Sequence, residues 1–220
     1  MAKNKIVFSI GGSIVIPEEL DVDFLKKFSS LIKKYKNKTN FSIVVGGGKT
    51  ARMFQKKREE LGMDEYTAHE IGTKATQLNA LFVARLVGGK FSTEHPEKIG
   101  KKKGVHVSGG YKIGWTTDTD AAYIAKGMKA DYLVNLTDVK GMYTKDPRKH
   151  KDAKFLPALG WKEFFKIMGH KIVPGGHYVF DPIAGKVCQK NKIKVVIVSK
   201  DLRNLENFLK GKRFIGTIIS

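Results

Sequence analysis

The chain has 220 residues, 41% of them hydrophobic and 28% charged, enough to bury one substantial core. Its 41 lysines and arginines against 21 acidic residues leave a formal charge of +20, and a lone cysteine, Cys188, excludes an internal disulfide and reads as a buried, inert thiol. No stretch is long and apolar enough to span a membrane, and one cysteine suits a reducing, cytoplasmic interior. A surface this basic invites nucleic acid, anionic lipid or phosphorylated metabolites. The lysines, however, are scattered through Lys26-Lys27, Lys33-Lys34, Lys101-Lys102-Lys103, Lys149 to Lys154 and Lys210 to Arg213, and no aromatic RNA-binding signature accompanies them.

Met1 to Lys5 followed by Ile6 to Ile10 has the outline of a secretory leader, but Gly11-Gly12 interrupts the apolar run, so Lys5–Ile10 is predicted as a buried strand. After Pro17, Asp21 or Asp23 caps a helix whose apolar face carries Phe24, Phe28, Leu31 and Tyr35. Ser42–Val45 is a short apolar strand, followed by helical patterns at Thr50–Glu60 and Thr73–Val87. Gly88 to Gly104 reads as a connector. Beyond it come a strand at Val105–Ser108, a helix at Ala121–Met128 and a strand at Tyr132–Leu136. Lys145 to Phe155 reads as an exposed basic loop. Helices at Trp161–Met168, Ile183–Lys190 and Asn204–Leu209 then alternate with strands at Val195–Val198 and Phe214–Ile219. This alternation predicts one α/β domain over residues 1–220 with a mostly parallel sheet covered on both faces.

Glycine marks the places where strands end, where such a fold keeps its ligands. Gly11-Gly12-Ser13 follows the first strand, and read alone it is an ordinary tight turn. Gly46-Gly47-Gly48 ends the second strand and opens a helix, aiming several N–H groups at one spot, with Lys49 and Arg52 on the first turn to add charge. It is not a Walker loop, because Ile43 stands where that motif needs a further glycine. The third turn runs from Ser108-Gly109-Gly110 through Tyr111, Lys112, Ile113, Gly114, Trp115, Thr116 and Thr117 to Asp118, with Thr117 or Asp118 as the cap of the next helix. In the fourth, Thr137 and Asp138 end a strand before Gly141, and Tyr143 and Asp146 follow, placed to flank a base and a ribose.

The ordered set of four turns resembles the amino-acid kinase superfamily, which includes uridylate, acetylglutamate, aspartate and carbamate kinases. Any one turn is weak; the set in order covers most of the chain. Within that group the chain is most similar to archaeal uridylate kinases, through the lysine-free first turn, Arg52 after the glycine triplet, Gly114 before Thr116-Thr117-Asp118, Phe180-Asp181-Pro182 to Lys186, and the closing Gly216-Thr217-Ile218-Ile219. The resemblance implies a three-layer α/β/α sandwich, Mg·ATP (ATP with Mg2+) as donor, UMP as acceptor with UDP as product, and a homo-oligomer, hexameric in close relatives. It also implies an acceptor-binding part over roughly 1–130 and an ATP-binding part over roughly 131–220.

Carried over by position, Gly12, Ser13, Gly48 and Arg52 would face the ATP phosphates, and Thr137, Asp138, Tyr143 and Asp146 would hold the adenine nucleoside. Gly47 would meet the UMP phosphate, with His69 and the loop Tyr111, Lys112, Ile113, Gly114, Trp115, Thr116 and Thr117 around UMP. Asp118 would organise phosphoryl transfer; on mechanistic grounds rather than by position, the catalytic charge is expected from N–H groups of the first two glycine turns, Mg2+ and one or more of Lys49, Lys186, Arg52 and Lys112. No protein metal site is expected, since the six histidines, His170 and His177 among them, lack ligand spacing. His69, where these kinases carry an Asp, the bulky Trp115, Lys140 before Gly141, and Ser9 in the first strand depart from the pattern. These departures motivate an alternative, a sister kinase or nucleotide-binding protein with another phosphate, carboxylate or oxyanion ligand. The charge of +20 motivates another, a nucleic-acid-binding protein, which the ordered turns oppose.

Overall fold

A computed structural model describes residues 4–58, 60–172 and 178–220; His177 lies outside them. The chain begins with β1 (Asn4–Ile10), a one-turn helix α1 (Gly12–Val15), α2 (Val22–Tyr35), β2 (Thr39–Val45), α3 (Gly48–Lys57) and the long α4 (Glu65–Val87). Next come β3 (Lys90–Phe91), α5 (Pro96–Gly100), β4 (His106–Ser108), α6 (Thr117–Met128) and β5 (Tyr132–Thr137). The last third holds β6 (Met142–Tyr143), β7 (Phe155–Leu156), β8 (Ala158–Leu159), α7 (Trp161–Met168), α8 (Pro182–Lys190), β9 (Lys194–Ser199), α9 (Leu202–Leu209) and β10 (Thr217–Ile219).

Eight strands lie in the order β3-β4-β2-β1-β5-β9-β10-β8, and every neighbouring pair is parallel except β9 with β10. Side-chain alternation along the strands makes the layers. Ile6, Phe8 and Ile10 of β1 join Val134 and Leu136 of β5 in one core, covered by Phe28 of α2, Val83 of α4 and Leu205 of α9. Val7 and Leu133 turn to the other face, under Ile124 of α6, Phe164 of α7 and Cys188 of α8. Both faces are sealed, which is why the central strands read as unbroken apolar runs. Phe8 packs edge-on against Phe28 at 5.8 Å and tilted on Phe41 at 5.6 Å, and burying each such ring contributes about 2–3 kcal/mol.

The expected α/β/α sandwich is therefore the observed one, with corrections at the ends of elements. Asp21, not Asp23, caps α2 by accepting from the Phe24 N–H at 3.0 Å. Thr116, rather than Thr117 or Asp118, caps α6; its hydroxyl accepts from the Thr119 N–H at 3.1 Å, while the Asp118 carboxylate is engaged elsewhere. Helix α4 starts at Glu65, two turns before the apolar pattern, because its first turns are mostly exposed and carry no periodicity. The stretch read as a connector holds β3 and α5. A Cβ at Gly100 would lie 2.2 Å from the Ile124 carbonyl, so α5 crosses α6 backbone to backbone. The last strand shortens to Thr217–Ile219, and β6 with β7 forms a small antiparallel ribbon beneath the basic loop.

Candidate active site

Strand β1 leads to β2 on one side, while its other neighbour, β5, leads on to β9. Adjacent strands whose connections part in this way leave a crevice at their carboxyl ends. Two cavities open there, of about 310 and about 430 Å³, a size that suits small ligands. Both are lined by Thr116 and Thr117, the cap and first residue of α6. They adjoin at a helix N-terminus, where the backbone N–H groups and the helix dipole favour negative charge.

The first cavity is walled by α3, α4 and the loop before α6. Gly47 and Gly48 open α3, and Arg52 follows one turn later, its guanidinium donating to the Pro17 carbonyl at 3.1 Å. The Asn79 amide pins the turn by donating to the Gly46 and Gly47 carbonyls at 2.9 and 3.1 Å. His69, Gly72, Thr73 and Thr76 of α4 form the facing wall, and His69 Nε2 lies 3.5 Å from Glu65. Gly110, Gly114 and Trp115 complete the cavity, and Trp115 is stacked on Tyr123 at 4.8 Å. The first two glycine turns also touch each other. A Cβ on Gly12 would fall 1.9 Å from the Gly48 nitrogen, so Gly12 is required for that close approach and lines neither cavity.

The second cavity sits on the strand ends themselves. Register places Ser9 of β1 beside Asn135 of β5, and alternation turns both toward α6. The Ser9 hydroxyl donates to Asp118 Oδ1 at 2.7 Å, and the Asn135 amide donates to the Val179 carbonyl at 2.6 Å. Asp118 Oδ2 accepts from the Asp181 N–H at 3.3 Å. Asp181, 2% exposed, ties two helices together. Its Oδ1 caps α8 by accepting from Ile183 N–H at 2.6 Å and Ala184 N–H at 3.2 Å, and its Oδ2 accepts from the hydroxyls of Thr119, at 2.6 Å, and Thr116. Burial pushes the Asp118 carboxyl up to about 6; the negative Asp181 adds to the rise and the Ser9 hydroxyl opposes it. Ser13, Gly11, Thr137, Asp138 and Arg148 line the rest. A third cavity, lined by Tyr143, Asp146 and Met142 with Ile167 and Met168, adjoins the second at Val139, Arg148 and Val179. Arg148 pairs with Asp146 at 3.1 Å and lies 3.5 Å from Asp138.

Most residues expected from the sequence are thus brought together, but the grouping differs. Gly48 and Arg52, expected beside the ATP phosphates, line the first cavity with Gly47 and His69, because α3 leans toward α4. Tyr111, Lys112 and Ile113 belong to the loop but line none of these cavities; Tyr111 packs edge-on against His95 at 5.2 Å, and the Lys112 ammonium lies 6.0 Å from the Trp115 ring. Lys49 turns away to pair with Glu18, and Lys186 is exposed on α8; neither lines the cavities described here. Asn135, Arg148, Asp181, Thr73 and Thr76 had no assigned role. Only Asp181-Pro182 carried a local signal, an N-cap followed by proline at the first helical position. Among the described residues no group of three or more His, Cys, Asp or Glu side chains is placed to hold a metal ion, and no helix is long and apolar enough to cross a membrane.

The sequence profile of the amino acid kinase family matches residues 4–110 and 99–199. A uridylate kinase of Thermoplasma volcanium is 38% identical, the match covering 97% of this chain and 96% of the relative. A uridylate kinase of Methanocaldococcus jannaschii is 36% identical over 98% of this chain and 99% of its own. The crystal structure of uridylate kinase from Archaeoglobus fulgidus superposes with a TM-score of 0.85 at 32% identity, covering 98% of this chain and 100% of that one.

Proposed function

The chain belongs to the amino acid kinase family, and from that premise we propose that it is a cytoplasmic, ATP-dependent nucleoside monophosphate kinase that moves the γ-phosphoryl group of Mg·ATP to UMP, giving UDP and ADP in pyrimidine nucleotide synthesis. The observation that carries this reading is the pair of cavities meeting at Thr116 and Thr117, one for each partner of a transfer. Near-full-length likeness to proteins named uridylate kinase supports UMP as the acceptor.

UMP occupies the first cavity. Its phosphate takes the N–H groups of Gly47 and Gly48 and the charge of Arg52, and Trp115 and His69 stand beside its base and sugar. The donor runs through the second and third cavities, with its phosphates near Gly11 and Ser13 and its nucleoside between Asp138, Tyr143 and Asp146. First-cavity residues lie between 47 and 117 and third-cavity residues between 139 and 179, which supports an acceptor part over about 1–130 and a donor-nucleoside part over about 131–220, with the second cavity drawing on both. Magnesium would come with the nucleotide phosphates, where it neutralises charge.

Phosphoryl transfer needs in-line placement and stabilised negative charge more than covalent help from the protein. The end of α6, at Thr116 and Thr117, supplies both between the two phosphates. Asp118, held by Ser9 and by the Asp181 N–H, organises that helix end. Exposed apolar side chains on α3 and α4, among them Met53, Phe54, Leu78 and Phe82, support a homo-oligomer, a hexamer by resemblance.

The test is ADP release from Mg·ATP with UMP, CMP, AMP, acetylglutamate, isopentenyl phosphate and carbamate offered one at a time. Turnover with UMP alone is expected; turnover with another acceptor and none with UMP would overturn the assignment.

A further inference from the structure

Asp120 is 0% exposed, in the first turn of α6, where its carboxylate sits against Gly110 and Tyr111. A carboxylate in such a place is costly unless it serves a partner. Its Oδ1 has no hydrogen-bond partner, and its Oδ2 accepts from one group, the Tyr111 N–H at 3.1 Å. That bond reaches back nine residues, to the start of the loop that walls the first cavity. Two further bonds hold the same spot from α4. The Gly110 N–H donates to the Thr76 hydroxyl at 2.6 Å, and the Gln77 amide donates to the Gly110 carbonyl at 2.9 Å. A Cβ at Gly110 would sit 3.2 Å from Thr76 Oγ1 and 3.8 Å from Asp120 Oδ2, so the loop is seated directly on both.

The far end of the loop is fixed by Thr116, which caps the same helix and donates to Asp181. Residues 111 to 120 therefore form a ring closed through α6, with Trp115, Thr116 and Thr117 on its inner side facing the cavity. We propose that Asp120 is a positioning residue for the phosphoryl acceptor, fixing the near end of the acceptor loop through the Tyr111 N–H and thereby the place of Trp115 and Thr117 against the bound nucleoside monophosphate. This rests on the acceptor reading of the first cavity given above. Asp120 touches no substrate and acts through the loop.

Burial pushes the Asp120 carboxyl up to about 7, and Asp181, at the head of α8, adds to the rise; α4 faces it with the uncharged Thr73 and Thr76, and Asp118 lies on its own helix. The ionised form is the better acceptor for an N–H, so the loop is held more firmly above that range than below it.

The test compares the wild type with Asp120→Ala and Asp120→Asn by hydrogen–deuterium exchange and steady-state kinetics. In Asp120→Ala, exchange in segment 110–116 should rise about tenfold, and the KM for UMP about tenfold, with the KM for ATP and exchange in the rest of α6 unchanged. Asp120→Asn keeps an oxygen for the Tyr111 N–H and cannot titrate. Lacking the charge, it should show at about pH 8 the loop exchange that the wild type shows at about pH 6, and its acceptor KM should change less than the wild type's between those values. Should the alanine variant fail to fold, the asparagine variant decides on that pH dependence alone. Unchanged exchange in the loop, a loss spread over β4, α6 and α8 alike, or an asparagine variant with the wild-type pH profile would each overturn the proposal. Absence of UMP turnover in the wild type would remove the acceptor assignment, while the exchange measurement would still decide whether Asp120 holds the loop.

Discussion

The two cavities that meet at Thr116 and Thr117 are built from different material. The second rests on the ends of β1 and β5, where Ser9, Asn135, Asp118 and Asp181 are locked by hydrogen bonds of 2.6 to 3.3 Å. The first is walled by side chains from α3 and α4 and by a loop whose aromatic residues are partly or well exposed. Strand ends sealed on both faces cannot shift without disturbing two cores, whereas a loop pinned at two points can change its contents and keep its anchors. On the proposed function, the sheet would fix the place of transfer, and the helix-and-loop wall would set which acceptor is received.

The sharpest way to break this division is at the contact between the first two glycine turns. Gly12→Ala drives a Cβ into the Gly48 backbone and should cost about 3 kcal/mol in thermal unfolding and abolish turnover. Gly11→Ala, whose nearest neighbour is the Leu136 carbonyl at 3.3 Å, should cost clearly less. Within the second cavity, Asp118→Asn should lower kcat about a hundredfold and leave both KM values within about twofold. Equal loss in every parameter, together with a lower Tm, would mean that Asp118 holds the fold rather than the transfer centre.

Two arginine variants separate the cavities. Arg52→Ala should raise the KM for UMP about tenfold and spare that for ATP, and Arg148→Ala should do the reverse, as read from initial rates with each substrate varied. A shared effect of both variants on both substrates would erase the distinction.

Stability against pH gives a smaller effect. Both Asp118 and Asp120 have folded values raised above 3.8, to about 6 and about 7, so their contribution is full at low pH and is lost as pH rises through those values. Asp120→Asn should therefore melt higher than the wild type at about pH 8, by about 3 °C for each kcal/mol regained, with the difference vanishing only toward about pH 4. Least of all should Lys49→Ala and Lys186→Ala matter. One side chain is turned to Glu18 and the other is exposed, so each should change turnover by less than about threefold.

The fold was legible wherever a strand is buried on both faces or a helix has one apolar face. Residues 5–10, 42–45, 132–136 and 195–198 fall inside β1, β2, β5 and β9, and Phe24, Phe28 and Leu31 are buried on α2 as their spacing requires. What escaped was set by distant partners. Nothing local announces that Ser9 meets Asp118 across 109 residues, that Thr119 meets Asp181 across 62, or that Glu18 diverts Lys49. The first two turns of α4, Glu65 to Gly72, escaped as helix for the opposite reason, although His69 within them was expected at the site. They face the cavity and solvent rather than a core, so no apolar period marks them. The glycine turns were visible as ligand-site candidates, but the contact between Gly12 and Gly48 is a packing demand that only the assembled fold reveals.

On the proposed function, donor and acceptor lie in two cavities joined at the head of α6. A bisubstrate compound carrying uridine and adenosine at the two ends of a polyphosphate bridge tests it directly. Competitive inhibition against both UMP and ATP, with affinity well above that of either substrate, is the predicted result. Competition with only one of the two, or affinity no better than a single nucleotide, would contradict the account.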